Sequence, residues 1–160
     1  MDALLDRVLG RIELAPLTDD WVADLESFAR AHRTVLANYP WAIIPLFTHS
    51  NPGINATVIG EHAFRILERG GLTGAHAVAT FSAVLALNYG WSAFTSARDD
   101  LPGDEDPAEA LGAALSALPA ERFPATLAVA DELSHYGSDT HYGIALGQLI
   151  TGVAASAPTA

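Results

Sequence analysis

FSAVLALNYGWSAF, residues 81–94, is the stretch whose reading decides the fold. It carries no charge, it suits a helix, and it is apolar on almost every side. A helix at the surface of a small soluble domain shows one face to water. Something must cover this one all the way round.

The stretch lies inside a longer run, Gly70 to Ala97, that contains no Asp, Glu, Lys or Arg. A second such run goes from Thr140 to Ala160. Length alone would allow a membrane-spanning helix. But the first run holds His76, Asn88, several glycines and several Ser and Thr residues, and alanine supplies much of its apolar count. That average is too polar for lipid, so no membrane partner is expected.

On helical wheels both runs show two stripes. In the first, Val78, Phe81, Leu85 and Tyr89 mark one stripe, and Val84, Leu87, Trp91 and Phe94 mark another. In the last helix, Tyr142, Ala145, Leu146, Leu149 and Val153 suit the chain's own core. Gly143, Gly147, Ile150 and Ala154, with Thr151 beside them, make the second stripe. A chain of 160 residues has one core and uses one face of each helix. The economical expectation is a homodimer in which two helices from each subunit pack as a four-helix bundle. Such an obligate interface buries on the order of 2,000 Å² or more. The other solution is a larger monomer core with both helices central.

Composition narrows the classes. Eight basic against nineteen acidic residues give a net charge of −11, a balance that repels nucleic acid. Cysteine is absent, which excludes disulfides, thiolate metal sites and a cysteine nucleophile, and fits a reducing, cytoplasmic setting. The first residues, MDALLDRVLGRIEL, are charged from position 2, unlike a secretory signal.

The apolar period is near 3.6 throughout, with no sustained alternation, so the expectation is all-α: one bundle of seven or eight helices and no strands. Asp2 is placed to cap a short first helix with Leu4, Leu5 and Val8 on one side. Thr18 is placed to cap a long helix that stops before Pro40. WAIIPLF, 41–47, reads as a short apolar element broken by Pro45. Asn51–Pro52 reads as the start of a helix that ends at Gly70–Gly71. Thr73 opens the helix containing the decisive stretch, and LPGDEDP, 101–107, reads as an acidic loop. Pro107 to Leu118 holds a marginal helix, Pro124 begins another, and Ser138 and Asp139 cap the last.

Four segments carry a family likeness: DWVADLESFARAHRTVLANYPW (20–41), NPGINATVIGEHAFRILERGGLTGAHAVATFSAVLALNYGWSAF (51–94), LPAERFPATLAVADEL (118–133) and HYGIALGQLITGV (141–153). Their order and spacing resemble the C-terminal domain of tetracycline-repressor-like (TetR-family) transcription regulators. The resemblance covers about residues 2 to 156 and implies a domain that binds a small-molecule effector and dimerises. It implies that the helices at 73–97 and 138–156 form the dimer bundle, as the wheels suggest. It also implies that DNA is read by an N-terminal helix-turn-helix, which these residues do not include. MDALLDRVL is similar to the helix that follows that motif. Family members that bind tetracycline hold a magnesium–drug chelate with a histidine and an acid. The matching positions here are Phe47 and Phe94, which implies a small hydrophobic or aromatic effector and no metal cofactor.

A bundle holds ligands between helices, in mostly apolar pockets with a few polar groups. Phe28, His32, Trp41, Phe47, Phe64, Phe81, Leu85, Asn88 and Tyr89 are the candidate lining, with Asn88, His32 and the Tyr89 hydroxyl as polar anchors. The plainer reading makes many of these aromatics simple core. A buried amide needs partners, so Asn88 bonds backbone, sits at the dimer axis, or faces a ligand. Glu132 and His135 have the Glu-x-x-His spacing of di-iron bundles, but no second pair exists, so a metal-dependent enzyme is not expected. A helical dimerisation module with a filled interior remains the main alternative.

Overall fold

The computed structural model describes residues 1–48, 53–99 and 106–157. Among them are nine α-helices, one 3-10 turn and no strand. The fold is all-α. Two local events raise the count above seven or eight. The 41–47 element becomes a 3-10 turn, Pro40–Ala42, running into a helix; and the helix begun at Pro124 breaks at Val129, whose φ of −121° is not helical.

Helix α1 (Asp2–Leu9) buries Leu5, Val8 and Leu9, whereas Leu4 is half exposed. Helix α2 (Trp21–Asn38) is capped by Asp20 and not by Thr18. The Asp20 carboxylate accepts from the Val22 and Ala23 amides at 3.0 Å each, satisfying two of the free donors of the first turn. Thr18 instead donates its hydroxyl to Asp24 at 2.8 Å, and Arg69 reaches the same carboxylate at 3.0 Å. Burial pushes the Asp24 carboxyl up, but the hydrogen bonds from Thr18 and the Arg69 charge outweigh it and hold it below the usual range. Helix α3 (Ile43–Thr48) carries Pro45 in its first turn, where the missing N–H breaks no ladder.

Helix α4 (Ile54–Arg69) is capped from another helix: Asp6 of α1 accepts from the Asn55 amide at 2.8 Å and from its side-chain nitrogen at 2.9 Å. It ends on Gly71, whose φ of 74° is left-handed and costs glycine little. Helix α5 is Gly74–Asp99, α6 Pro107–Ser116, α7 Pro124–Ala128, α8 Ala130–Ser134 and α9 Asp139–Ser156. Ser138 caps α9 by accepting from the His141 amide at 3.3 Å. The expected start at Asn51–Pro52, His49 and most of the 101–107 loop lie outside the described residues.

Helix α5 is central, with α2, α3, α4 and α9 packed on it; α6, α7 and α8 pack mainly on one another. Its rows have different fates. Ala77, Thr80, Val84, Asn88 and Ser92 are buried, at spacings of three and four. Phe81, Leu85 and Tyr89 flank that row on one side, half-buried. Leu87 and Trp91 flank it on the other; the Trp91 indole donates to the Gly137 carbonyl at 2.9 Å and its ring meets Tyr142 edge-on. Ser82, Ala86 and Gly90 face outward. On α9, Tyr142, Leu146 and Ile150 are buried while Ile144, Gly147, Gln148 and Thr151 are exposed.

Two residues expected to meet a partner subunit therefore belong elsewhere. Val84 and Ile150 are 0% and 4% exposed within one protomer, in its own core. Leu87 and Trp91 are half-buried in the protomer, and Phe94 pairs with the Tyr136 ring at 4.8 Å. Gly143 lies near Arg30. Gly147 and Thr151 are exposed, and Ala154 is half-buried.

By length and apolarity, Gly74–Ser96 could cross a membrane. Its most buried row, however, holds Thr80, Asn88 and Ser92, and Asn88 is hydrogen-bonded to α2.

Candidate functional site

On the Phe81 side of α5 the surrounding helices do not close. A cavity of about 490 Å³ remains, enough for a drug-sized molecule. Leu9 of α1, His32 of α2 and Leu46 of α3 form one part of its wall. Ala56, Thr57, Ile59, Gly60, Glu61 and Phe64 of α4 form a second, and Phe81, Leu85 and Tyr89 of α5 a third.

Five of the nine residues expected to line a pocket do so: His32, Phe64, Phe81, Leu85 and Tyr89. Their spacing explains the convergence. Phe81, Leu85 and Tyr89 stand four apart on one row of α5, and Phe64 meets Phe81 with ring centroids 5.0 Å apart. Phe28 stands behind the wall, 3% exposed, stacked on His32 at 6.4 Å and tilted against Phe81 at 6.5 Å. Phe47 is half exposed and touches Tyr89 at 4.8 Å, outside the lining. Trp41 is half exposed on the 3-10 turn and takes no part in the cavity.

Asn88 is also not in the lining. It is 0% exposed, and its Nδ2 donates to the Ala29 carbonyl at 2.8 Å and lies 3.1 Å from His32 Nδ1. Its Oδ1 accepts from the Tyr142 hydroxyl at 2.7 Å. The backbone-bonding option thus holds within this protomer, and the amide ties α2, α5 and α9 together. The Arg33 guanidinium lies over the Tyr142 ring at 4.1 Å and bonds Asp139 at 2.6 Å.

Burial lowers the pKa of His32 to about 4, so its ring is neutral at ordinary pH. Burial raises the Tyr89 hydroxyl to about 12, keeping it protonated. The cavity is therefore a largely apolar chamber, aliphatic and aromatic, with two neutral polar groups, and Glu61 and Thr57 at α4. Glu61 bonds Arg65 at 2.8 Å.

The sequence reading missed the α4 contribution apart from Phe64. One signal existed: Gly60, in mid-helix, where glycine costs about 1 kcal/mol relative to alanine. A Cβ there would meet only Phe64, at 3.9 Å. The Glu132–His135 pair does not assemble; Glu132 meets His141 at 3.1 Å. Among the described residues no group of three or more His, Asp or Glu side chains is placed to hold a metal ion.

The family model described as "Tetracyclin repressor-like, C-terminal domain" matches residues 15–157. Among solved structures, ActR from Streptomyces coelicolor in complex with actinorhodin is similar at TM-score 0.87 and 24% identity, over 99% of this chain and 76% of that one. Apo ActR from the same organism gives 0.84 and 23%, over 99% and 75%. The S. coelicolor regulator SCO7222, described as a TetR, gives 0.79 and 20%, over 99% and 76%. No curated protein matches.

Proposed function

The chain belongs to the tetracyclin repressor-like C-terminal domain family, and on that premise we propose that it is the effector-binding and dimerisation domain of a cytoplasmic, repressor-type transcription regulator. The observation that carries this reading is the cavity of about 490 Å³ walled by five helices. A concave, mostly apolar pocket between helices, with a few polar groups in its wall, is where a bundle holds a small molecule.

The effector is a small hydrophobic or aromatic molecule. Support comes from the walls, which are aromatic and aliphatic apart from His32, Tyr89, Thr57 and Glu61. ActR, similar in fold, has a complex with actinorhodin. The positions that the resemblance would give to a chelate's histidine and acid are Phe47 and Phe94, and neither is among the cavity's lining residues. DNA contact is assigned to the helix-turn-helix that family members carry ahead of this domain. The 160 residues, at −11, repel it themselves.

The homodimer reading rests on the outward faces of α5 and α9. Ser82, Ala86 and Gly90 on α5, and Ile144, Gly147, Gln148 and Thr151 on α9, are exposed, uncharged and mostly small. A Cβ added at Gly90 or Gly147 would meet nothing within 4 Å among the described residues. Glycine in mid-helix with open space beside it has no use within one chain, but it lets a second helix approach closely. Two such helices from each subunit make the four-helix bundle.

The test is a melting-temperature screen of the protein against planar aromatic compounds, actinorhodin included. A ligand at one hundred times its Kd adds about 2.7 kcal/mol and raises Tm by several degrees. The shift is expected to vanish in Leu85→Trp, which fills the cavity. A uniformly flat screen, with Leu85→Trp melting no differently, would favour a dimerisation module without a ligand.

A further inference from the structure

We infer that the cavity selects molecules bearing a hydrogen-bond-accepting oxygen, an aromatic ketone or its like, which receives the Nε2–H of His32 beside the Tyr89 hydroxyl. This rests on the reading of the cavity as an effector site and adds the chemistry the effector must carry.

A backbone carbonyl sets the chain of constraints. Ala29 O can only accept, and it lies 2.8 Å from one arm of the Asn88 amide. That arm must be the NH₂ group, since the flipped amide would press two acceptors together. The other arm, Oδ1, takes the Tyr142 hydroxyl proton at 2.7 Å, which agrees with the same orientation. The NH₂ group has a second hydrogen, and His32 Nδ1 lies 3.1 Å away to receive it. Nδ1 therefore presents a lone pair. A neutral imidazole with a bare Nδ1 carries its one proton on Nε2. A doubly protonated ring would set an N–H against the amide's N–H.

The ring is 1% exposed and forms part of the cavity wall. Nδ1 is used up by Asn88, while Nε2 has no hydrogen-bond partner among the described residues. Nor is Nε2 among the fully buried side-chain atoms without a partner, which among the described residues are Arg33 Nε and Ser92 Oγ. His32 lines the cavity, and Nε2 is the ring nitrogen left to serve it. Tyr89 stands edge-on to it, ring centroids 5.4 Å apart, and its hydroxyl also has no partner among the described residues. A hydrocarbon in this chamber strands a buried donor; an oxygen acceptor satisfies it. The difference is worth roughly tenfold or more in affinity.

Matched pairs read this directly: 9-fluorenone against fluorene, and 2-acetylnaphthalene against 2-ethylnaphthalene, titrated into the full chain by calorimetry. The ketone of each pair is expected to bind about tenfold or more tighter, and that preference to disappear in His32→Phe. Equal binding of ketone and hydrocarbon by the unmodified protein overturns the inference while leaving the cavity an effector site. No binding by any of the four compounds overturns both. Should His32→Phe fail to fold, the ring ¹⁵N resonances of the unmodified protein decide. An Nε2–H tautomer at neutral pH supports the inference, and an Nδ1–H tautomer or an imidazolium overturns it.

Discussion

The inward and outward sides of helix α5 lack different things. Inward, beside Phe81, Leu85 and Tyr89, the protein lacks atoms: a cavity is left where a closed core would be. Outward, along Ser82, Ala86 and Gly90, it lacks a neighbour: the surface is built but nothing among the described residues covers it. The void has polar groups set into its wall, and the bare face has none that are charged. A void with oriented donors suits a small molecule; a flat, small-residue face suits another helix. The same comparison holds on α9, where Tyr142, Leu146 and Ile150 are inside and Ile144, Gly147 and Thr151 are outside.

The comparison breaks first if the outward face tolerates charge. Gly147→Glu is expected to weaken the dimer by roughly a thousandfold, about 4 kcal/mol, because two carboxylates would be buried near a symmetry axis. The protomer has open space at that position, so its helix content by circular dichroism should be kept. Sedimentation of the variant as a dimer at micromolar concentration would contradict this.

On the inward side of the same helix, Leu146→Ala removes a side chain with no exposed surface. Its cost should be about 2–5 kcal/mol in chemical denaturation, against less than about 0.5 for Gln148→Ala outside.

Acid provides a third contrast. The folded His32 value, about 4, lies below the ordinary 6.5, so the fold holds the neutral ring. The stability tied to it is complete above pH 6.5 and is lost as pH falls from there toward 4, by about 3 kcal/mol in all. Asp24, also lowered, gives up its share only at more acid pH, below the ordinary carboxylate range. Denaturation midpoints should therefore decline between pH 6.5 and 4, and decline less steeply over that window in His32→Phe, where His62, also lowered by burial, still contributes. A flat profile in the unmodified protein would refute the buried neutral ring.

The smallest effect sharpens the cavity side. Tyr89→Phe removes a hydroxyl with no partner among the described residues, so stability should move by less than about 0.5 kcal/mol while ligand affinity falls. A large loss of stability would mean the hydroxyl serves the fold.

Much of this was legible beforehand. The all-α class, the caps at Gly71 and Ser138 and the double character of α5 and α9 follow from period and punctuation. The rotation of each helix did not follow. Successive positions are 100° apart, so a stripe of large residues does not say whether Val84 or Val78 points inward; packing chose Val84, and left Val78 half exposed. On α5 large side chains drew attention to Val84, Leu87, Trp91 and Phe94, whereas the outward face is built of Ser82, Ala86 and Gly90, which a hydropathy wheel treats as filler; on α9 the expected outer stripe did include the exposed Gly147. Asn88 had three open options because a buried amide's partners are long-range; Ala29 is far from it in sequence. The choice of Asp20 over Thr18 turned on Asp24 and Arg69 claiming the threonine's neighbourhood, a tertiary event.

The measurement that bears most directly on the whole account is the mass of the native chain in solution, by light scattering across micromolar concentrations. Twice the chain mass, unchanged on dilution, is the predicted result. A monomer throughout would mean that the uncharged outer faces of α5 and α9 meet only water, and the account would be contradicted at its base.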